Sequence, residues 1–305
     1  MKAISGATQI FGWAISRSLP EGNFKEVLRK QYFSRCNPPV HSLNSRIRKV
    51  GLVEDGVLLV ELDNSMKLHG SKDKTERRWM KYGDQKKLSK MKDYPSFGSF
   101  FEILYEVVYL SVYERGYQLK RGDTVVDIGA HVGTFAVKAA HAIGNEGRVI
   151  AIEPEPNNFA LLLRNIQANG LTNVVAVQKG AWNTKGKSEL HLASHQGADS
   201  LRAGTFYSAK ERDESITVEV DTVDNILREL GLSQVDFIKM DIEGSEMEAL
   251  EGMDQILRTD VRLAIAAYHV VNGEPTYRTV VPQLARRGFE VSLYKREIVY
   301  ANKER

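Results

Sequence analysis

The chain has 305 residues, 42% hydrophobic and 27% charged, close to the globular average, which argues against wholesale disorder. Its single cysteine, Cys36, excludes an internal disulfide and a multi-thiolate zinc site, and no apolar run approaches the roughly 20 residues that a membrane helix needs. The net charge of +3 is unevenly spread: residues 1–122 carry 22 Lys and Arg against 13 Asp and Glu, leaving 20 against 26 for the remainder, an asymmetry that can mark an anionic partner for the basic half.

At the N-terminus Lys2 precedes a mildly apolar stretch that Ser5, Thr8, Gln9 and Ser16 interrupt, so a surface helix is expected rather than a cleaved signal. With one cysteine, a reducing, cytoplasmic setting is expected. Val57–Leu62 and Met66–His69 flank Asp63-Asn64-Ser65 and read as a β-hairpin. Residues 71–93 are polar and lysine-rich, a loop or exposed helix in which Trp79 and Tyr82 lie among basic residues. Phosphate contacts plus base stacking would suit nucleic acid there, but no RNA-binding module accompanies the stretch, and a solvated surface is the favoured reading. Ser99 and Glu102 form a capping box ahead of Phe100, Leu104, Val107 and Val108 at helical spacing. Glu106 and Tyr109, three apart on that helix, would share a face and are candidate substrate residues.

From Gly122 onward strands and helices alternate. Strands are predicted at Thr124–Asp127, Arg148–Ile152, Val174–Gln178, Val235–Met240 and Arg262–Ala267. Helices are predicted at Gly133–Ile143, from an Asn157 cap through Ile166, at Thr222–Leu230, from a Ser245/Glu248 capping box, and at Thr276–Arg287. Glu189–Leu192 and Ile216–Val220 look like an inserted pair of strands, and Phe289–Tyr294 with Ile298–Ala301 like a closing antiparallel hairpin. Strands separated by helices imply a parallel sheet covered on both faces.

The sequence Val125-Val126-Asp127-Ile128-Gly129-Ala130-His131-Val132-Gly133 runs from a strand into a helix. A dinucleotide fingerprint needs a middle glycine where His131 stands, so a nicotinamide or flavin is disfavoured, and no Walker-type G-K-[ST] follows. A cofactor still suits the loop: glycines allow close backbone approach, a helix N-terminus favours a carboxylate, and Glu153 at the end of the next strand can accept from both hydroxyls of a ribose. A nucleoside plus a carboxylate, without phosphate, describes S-adenosylmethionine.

With Glu153-Pro154-Glu155-Pro156 and Asp236-Phe237-Ile238-Lys239-Met240-Asp241-Ile242-Glu243-Gly244-Ser245-Glu246, that loop makes the chain resemble the FkbM-type S-adenosylmethionine-dependent methyltransferases, from about Glu106 to the C-terminus. The resemblance implies a Rossmann-like α/β fold: a doubly wound, mostly parallel seven-stranded sheet with an antiparallel C-terminal hairpin, at 121–305, after an N-terminal helix and β-hairpin extension at 1–120. It implies that Asp127, Gly129, His131 and Gly133 line the methionine moiety, that Glu153 and the adjoining Pro154 take the ribose, that Gly180 and Ala181 approach the adenine, and that Ser200 lies near the cofactor. Asp241 would face the transfer site, and His269, at a position where the family often has histidine, is the candidate base for a hydroxyl acceptor. Glu243 and Glu246 would position substrate. These acids could instead hold Mg²⁺, but with no matching second cluster no metal is expected. The expected reaction is O-methylation of a sugar, glycan or small metabolite; an RNA methyltransferase using the basic N-terminal face and a non-catalytic binding protein are the alternatives.

Overall fold

The computed structural model describes residues 46–54, 56–71, 100, 103–193, 198–202, 214–295 and 297–303. The basic stretch after Ser71, the N-terminal helix and the Ser99/Glu102 capping box lie outside these residues. The chain divides into two compact units, one through Leu110 and a second from Ser111 onward.

The first unit holds an antiparallel sheet of β1 (Ile47–Glu54), β2 (Val57–Leu62) and β3 (Lys67–Ser71). The β2–β3 pair is the expected hairpin. Alternation along β2 buries Leu58, Val60 and Leu62, as period-two geometry requires when one face meets a core. Strand β1 has no counterpart in the sequence reading, because irregularities at Ile47/Lys49 and Leu52/Glu54 break its alternation. Tyr105–Tyr109 forms a π-helical turn, closed by Leu110 N–H donating to the Tyr105 carbonyl at 2.9 Å. The expected α-helical face therefore does not form: Glu106 is exposed, whereas Tyr109 is half-buried and stacks on Tyr105 with ring centroids 5.4 Å apart.

The second unit is built on a seven-stranded sheet. In chain order its strands are β4 (Thr124–Ile128), β5 (Arg148–Ile152), β6 (Val174–Val177), β10 (Phe237–Met240), β11 (Arg262–Ala266), β14 (Glu290–Tyr294) and β15 (Ile298–Asn302). Their spatial order is β14-β15-β11-β10-β4-β5-β6. The pairs among β4, β5, β6, β10 and β11 are parallel, while β15 runs antiparallel to both β11 and β14. This is the doubly wound arrangement expected, with its switch point between β4 and β10, where such sheets open a ligand crevice.

Alternation divides the strand residues between two faces. Val126, Ile128, Ile238 and Met240 pack with residues of α3 (Val223–Glu229), α4 (Glu246–Glu251) and α5 (Tyr277–Arg286). Phe237 instead meets Phe135 of α1 (Thr134–Ile143), with centroids 6.2 Å apart, and stacks on Tyr117. Asp127 and Lys239 share that second parity and are direct partners in the β4–β10 register. A smaller sheet joins β7 (Gly180–Ala181), β9 (Glu214–Asp221) and β8 (Gly186–Leu192), the last two being the inserted pair.

Two local expectations are corrected and one element is added. Glu155, not Asn157, caps α2 (Pro156–Ala168), accepting from the Asn158 N–H at 2.6 Å, because Pro156 occupies the first helical position. Ser245 makes no capping bond to α4; Glu246 Oε1 instead accepts from the Gly244 N–H at 3.0 Å. A further hairpin, β12 (Val270–Val271) with β13 (Glu274–Pro275), turns on Asn272-Gly273, both at positive φ, the backbone that an Asn-Gly turn favours.

Candidate active site

The site begins at the carboxyl end of β4. Gly129 has φ +73°, and a Cβ there would lie 1.9 Å from the Asp241 carbonyl oxygen, so only glycine lets the loop cross the end of β10. Gly133 has φ +85°, and its missing Cβ leaves room for Leu162. The closeness these glycines permit is thus between parts of the protein, and at Gly129 it brings the loop against the Asp241–Ile242 segment. His131 has φ +53°, a left-handed conformation in which His, Asn and Asp are enriched among non-glycine residues. Burial lowers the His131 pKa to about 3, and neither ring nitrogen has a hydrogen-bond partner.

Beneath the loop Asp127 is fully buried, with Lys239 Nζ 3.0 Å from its Oδ1. The same ammonium donates to the Gly129 carbonyl at 2.7 Å, pinning the loop to β10. Burial raises the Asp127 pKa, and Lys239 opposes that shift. Sequence reasoning missed Lys239; the signal was a lysine inside the otherwise apolar strand Phe237–Met240, where a charge needs a partner.

Glu153 follows β5 and is 5% exposed. Its Oε2 accepts from the His131 N–H at 2.8 Å and its Oε1 from the Glu155 N–H at 3.0 Å. One lone pair on each oxygen remains. Burial outweighs the two bonds and raises the pKa to about 7. Pro154, half-buried, leads on to α2. Glu155 is not the solvated acid it resembles in sequence: it is buried and also accepts from Asn157 Nδ2 at 2.8 Å. Gly180 and Ala181 form β7, the former backed by Leu201 and the latter inside the main core.

At the ends of β10 and β11 the acids and the histidine converge. Asp241 Oδ2 accepts from the Tyr113 hydroxyl at 2.7 Å, a contact across 128 residues that no sequence pattern announces. Glu243 sits at φ +54° ahead of Gly244, and Ser200 Oγ donates to the Glu243 carbonyl at 2.8 Å, which fixes this turn. His269 is 4% exposed; its Nδ1 lies 2.8 Å from Glu246 Oε1, and its Nε2 lies 3.3 Å from Glu243 Oε1 and 3.5 Å from Asp241 Oδ1. Desolvation opposes charge on the ring, but Glu243 and Glu246 outweigh it and hold the His269 pKa well above the ordinary value. The base expected of His269 would have to give up a proton that these carboxylates hold. Among the described residues the structure therefore gathers Asp241, Glu243, Glu246 and His269, beside the Asp127–Gly129–Glu153 group. Glu106 and Tyr109 belong to the first unit.

Among known proteins, the family described as the methyltransferase FkbM domain matches residues 127–291, more than half of the chain. The chain is 28% identical over 157 residues to methyltransferase sdnD of Sordaria araneosa, a match spanning 43% of this chain and 60% of that protein. It is 28% identical over 201 residues to the 31-O-demethyl-FK506 methyltransferase FkbM of Streptomyces tacrolimicus, spanning 58% of this chain and 76% of the relative. It is 25% identical over 152 residues to the hexuronic acid methyltransferase AglP of Haloferax volcanii, spanning 50% of this chain and 58% of AglP. Thus the match covers less than two thirds of two of these three relatives.

Proposed function

Since the chain belongs to the FkbM methyltransferase family, we propose that it transfers a methyl group from S-adenosylmethionine to a hydroxyl of a sugar, glycan or other small metabolite. The observation that carries this reading is Glu153: a buried carboxylate at the end of the second parallel strand, tied to the glycine loop by the His131 N–H and keeping a lone pair on each oxygen. A pair of vicinal hydroxyls is the donor set that complements it. The choice of oxygen as acceptor is supported by the relatives, one named for a 31-O-demethyl substrate and one for a hexuronic acid.

When bound, S-adenosylmethionine supplies a methyl group activated by a sulfonium. Glu153 would hold the ribose, and the loop from Gly129 to Gly133 would line the methionine moiety. Asp127 and Lys239 keep that loop in place from beneath. Asp241 and His269 serve the acceptor. Asp241 Oδ1 is a buried atom without a hydrogen-bond partner, and buried His269 Nε2 faces it at 3.5 Å. An acceptor hydroxyl docked beside this pair would be aligned for in-line attack, its proton passing to a carboxylate of the cluster as the methyl–sulfur bond breaks, and such alignment can supply much of the acceleration.

Calorimetry tests the cofactor: S-adenosylmethionine or its demethylated product should bind, and binding of NADH alone would sink the reading. His269→Gln tests the acceptor end. Cofactor affinity should survive while turnover of the acceptor falls by about 10²-fold, because the ring positions the acceptor and not the cofactor. Near-normal turnover would remove His269 from the chemistry. Methyl transfer to RNA rather than to hydroxylated metabolites, with retention that falls steeply as salt rises, would replace the small-molecule reading with the nucleic-acid one.

A further inference from the structure

We propose that Asp241, Glu243 and His269 form a binding site for a divalent transition-metal cation of the Zn²⁺ class, with one coordination position left open. Only the occupant of that open position, the acceptor hydroxyl, rests on the methyl-transfer reading above.

One carboxylate oxygen from each acid and a ring nitrogen of His269 all lie within 4.8 Å of one another. The separations of Nε2 from Glu243 Oε1 and Asp241 Oδ1 are 3.3 and 3.5 Å. A tetrahedral ion about 2.0–2.1 Å from each ligand has ligand–ligand edges of roughly 3.3–3.4 Å, so the two edges to His269 need little adjustment and the Asp241–Glu243 edge has only to close within the 4.8 Å bound. Three protein ligands with a fourth position open is the donor count of catalytic rather than structural zinc sites.

The polar atoms of the cluster also lack other partners. Asp241 Oδ1 is buried and makes no hydrogen bond, and buried His269 Nε2 has only the Glu243 carboxylate, 3.3 Å away. Buried polar groups are nearly always satisfied, and an ion shared by these atoms would satisfy them. Among the described residues, no Lys or Arg pairs with Asp241, Glu243 or Glu246; their one ion-pair partner is His269. Three carboxylates around one imidazole leave negative charge that a divalent ion, taking the place of the Nε2 proton, would offset.

Each ligand is moreover held from behind. His269 Nδ1 meets Glu246 Oε1 at 2.8 Å, the carboxylate–histidine relay that presents the opposite nitrogen to a metal. The Gly244 N–H in turn fixes Glu246. Tyr113 occupies Asp241 Oδ2 and so leaves Oδ1 for the cluster, while Ser200 anchors the turn that carries Glu243 in its left-handed conformation. The sequence expectation of no metal considered only the acids of one segment; the ligand that completes the set is the histidine brought in by β11. At the open position the ion would act as a Lewis acid on the acceptor's oxygen.

The test uses the full-length chain, stripped with a chelator and titrated with Co²⁺, whose visible d–d bands report four- or five-coordinate binding. One equivalent should bind, Zn²⁺ should displace it, and the bands should be lost in His269→Gln and in Glu243→Gln but kept in Glu251→Gln, an exposed acid elsewhere. Absence of saturable one-equivalent binding in the unaltered chain overturns the proposal whether or not the variants fold, and so do bands that persist in both folded variants. Methyl transfer by a chain that binds no Co²⁺ overturns the metal site and leaves the proposed function standing. Co²⁺ binding by a chain that methylates no hydroxyl does the reverse.

Discussion

Glu153 is where single-residue chemistry is most exposed to test. In the free protein its carboxyl titrates near 7 because burial outweighs two backbone hydrogen bonds. Hydroxyl donors from a ribose stabilise the ionised form, so cofactor binding should pull the pKa down and release up to one proton near neutrality. Affinity should therefore rise with pH through about 7 and level off above it. For the free protein the same shift works against stability: the folded state holds its proton to higher pH than the unfolded chain, so Glu153 lowers stability progressively from the ordinary glutamate pKa up to about 7. Calorimetry in two buffers of different ionisation enthalpy measures the released proton, and Glu153→Gln should abolish it. Lys239 gives the complementary prediction. Lys239→Met leaves Asp127 buried without its cation and should cost about 3–5 kcal/mol by urea denaturation, whereas Asp127→Asn with Lys239→Met together should cost less than the two single changes added. Of these residues Asp127, Glu153, Asp241 and His269 were legible in sequence because each follows or ends a parallel strand. Tyr113 was not, since only the folded topology brings it to Asp241.

Elements were read best where one period dominates. The apolar strands β4, β5, β10 and β11 and the helices between them could be placed because burial on both faces demands near-continuous hydrophobic runs. The reading failed where local chemistry competes with pattern. In Glu155-Pro156-Asn157, asparagine is the better intrinsic cap, but proline's fixed φ starts the helix two residues sooner and hands the role to Glu155. Glu155→Ala should then destabilise the second unit by about 1 kcal/mol, the usual cost of a lost cap, visible as a lowered urea midpoint at unchanged slope. Asn157→Ala should cost less, since Asn157 is exposed and only donates to Glu155. The Asn272-Gly273 hairpin was legible and overlooked: two valines precede it, and its turn residues are the strongest short-range hairpin signal. It matters to the site because the Thr276 N–H donates to the His269 carbonyl at 2.8 Å, holding the histidine at the mouth of that hairpin.

For the molecule as a whole, the residues assigned to the cofactor all belong to the unit that begins at Ser111, while the basic excess lies in the first 122 residues. On the proposed assignment, cofactor binding and any affinity for polyanions fall to different parts of the sequence, and they should respond differently to salt. A ligand that binds only the folded form stabilises it by about 2.7 kcal/mol at a concentration of 100 Kd. For a unit of this size each kcal/mol raises Tm by roughly 2–4 °C, so saturating S-adenosylmethionine should move the transition by about 5–10 °C. Differential scanning calorimetry on the full-length chain measures this. If heating resolves two transitions, only that of the second unit should move, because Asp127, Gly129 and Glu153 are all there. The shift should persist in high salt, where polyanion binding is lost, and should shrink in Glu153→Gln at equal cofactor concentration. A cofactor-dependent shift confined to the other transition would show that the Glu153 site is not where the cofactor binds.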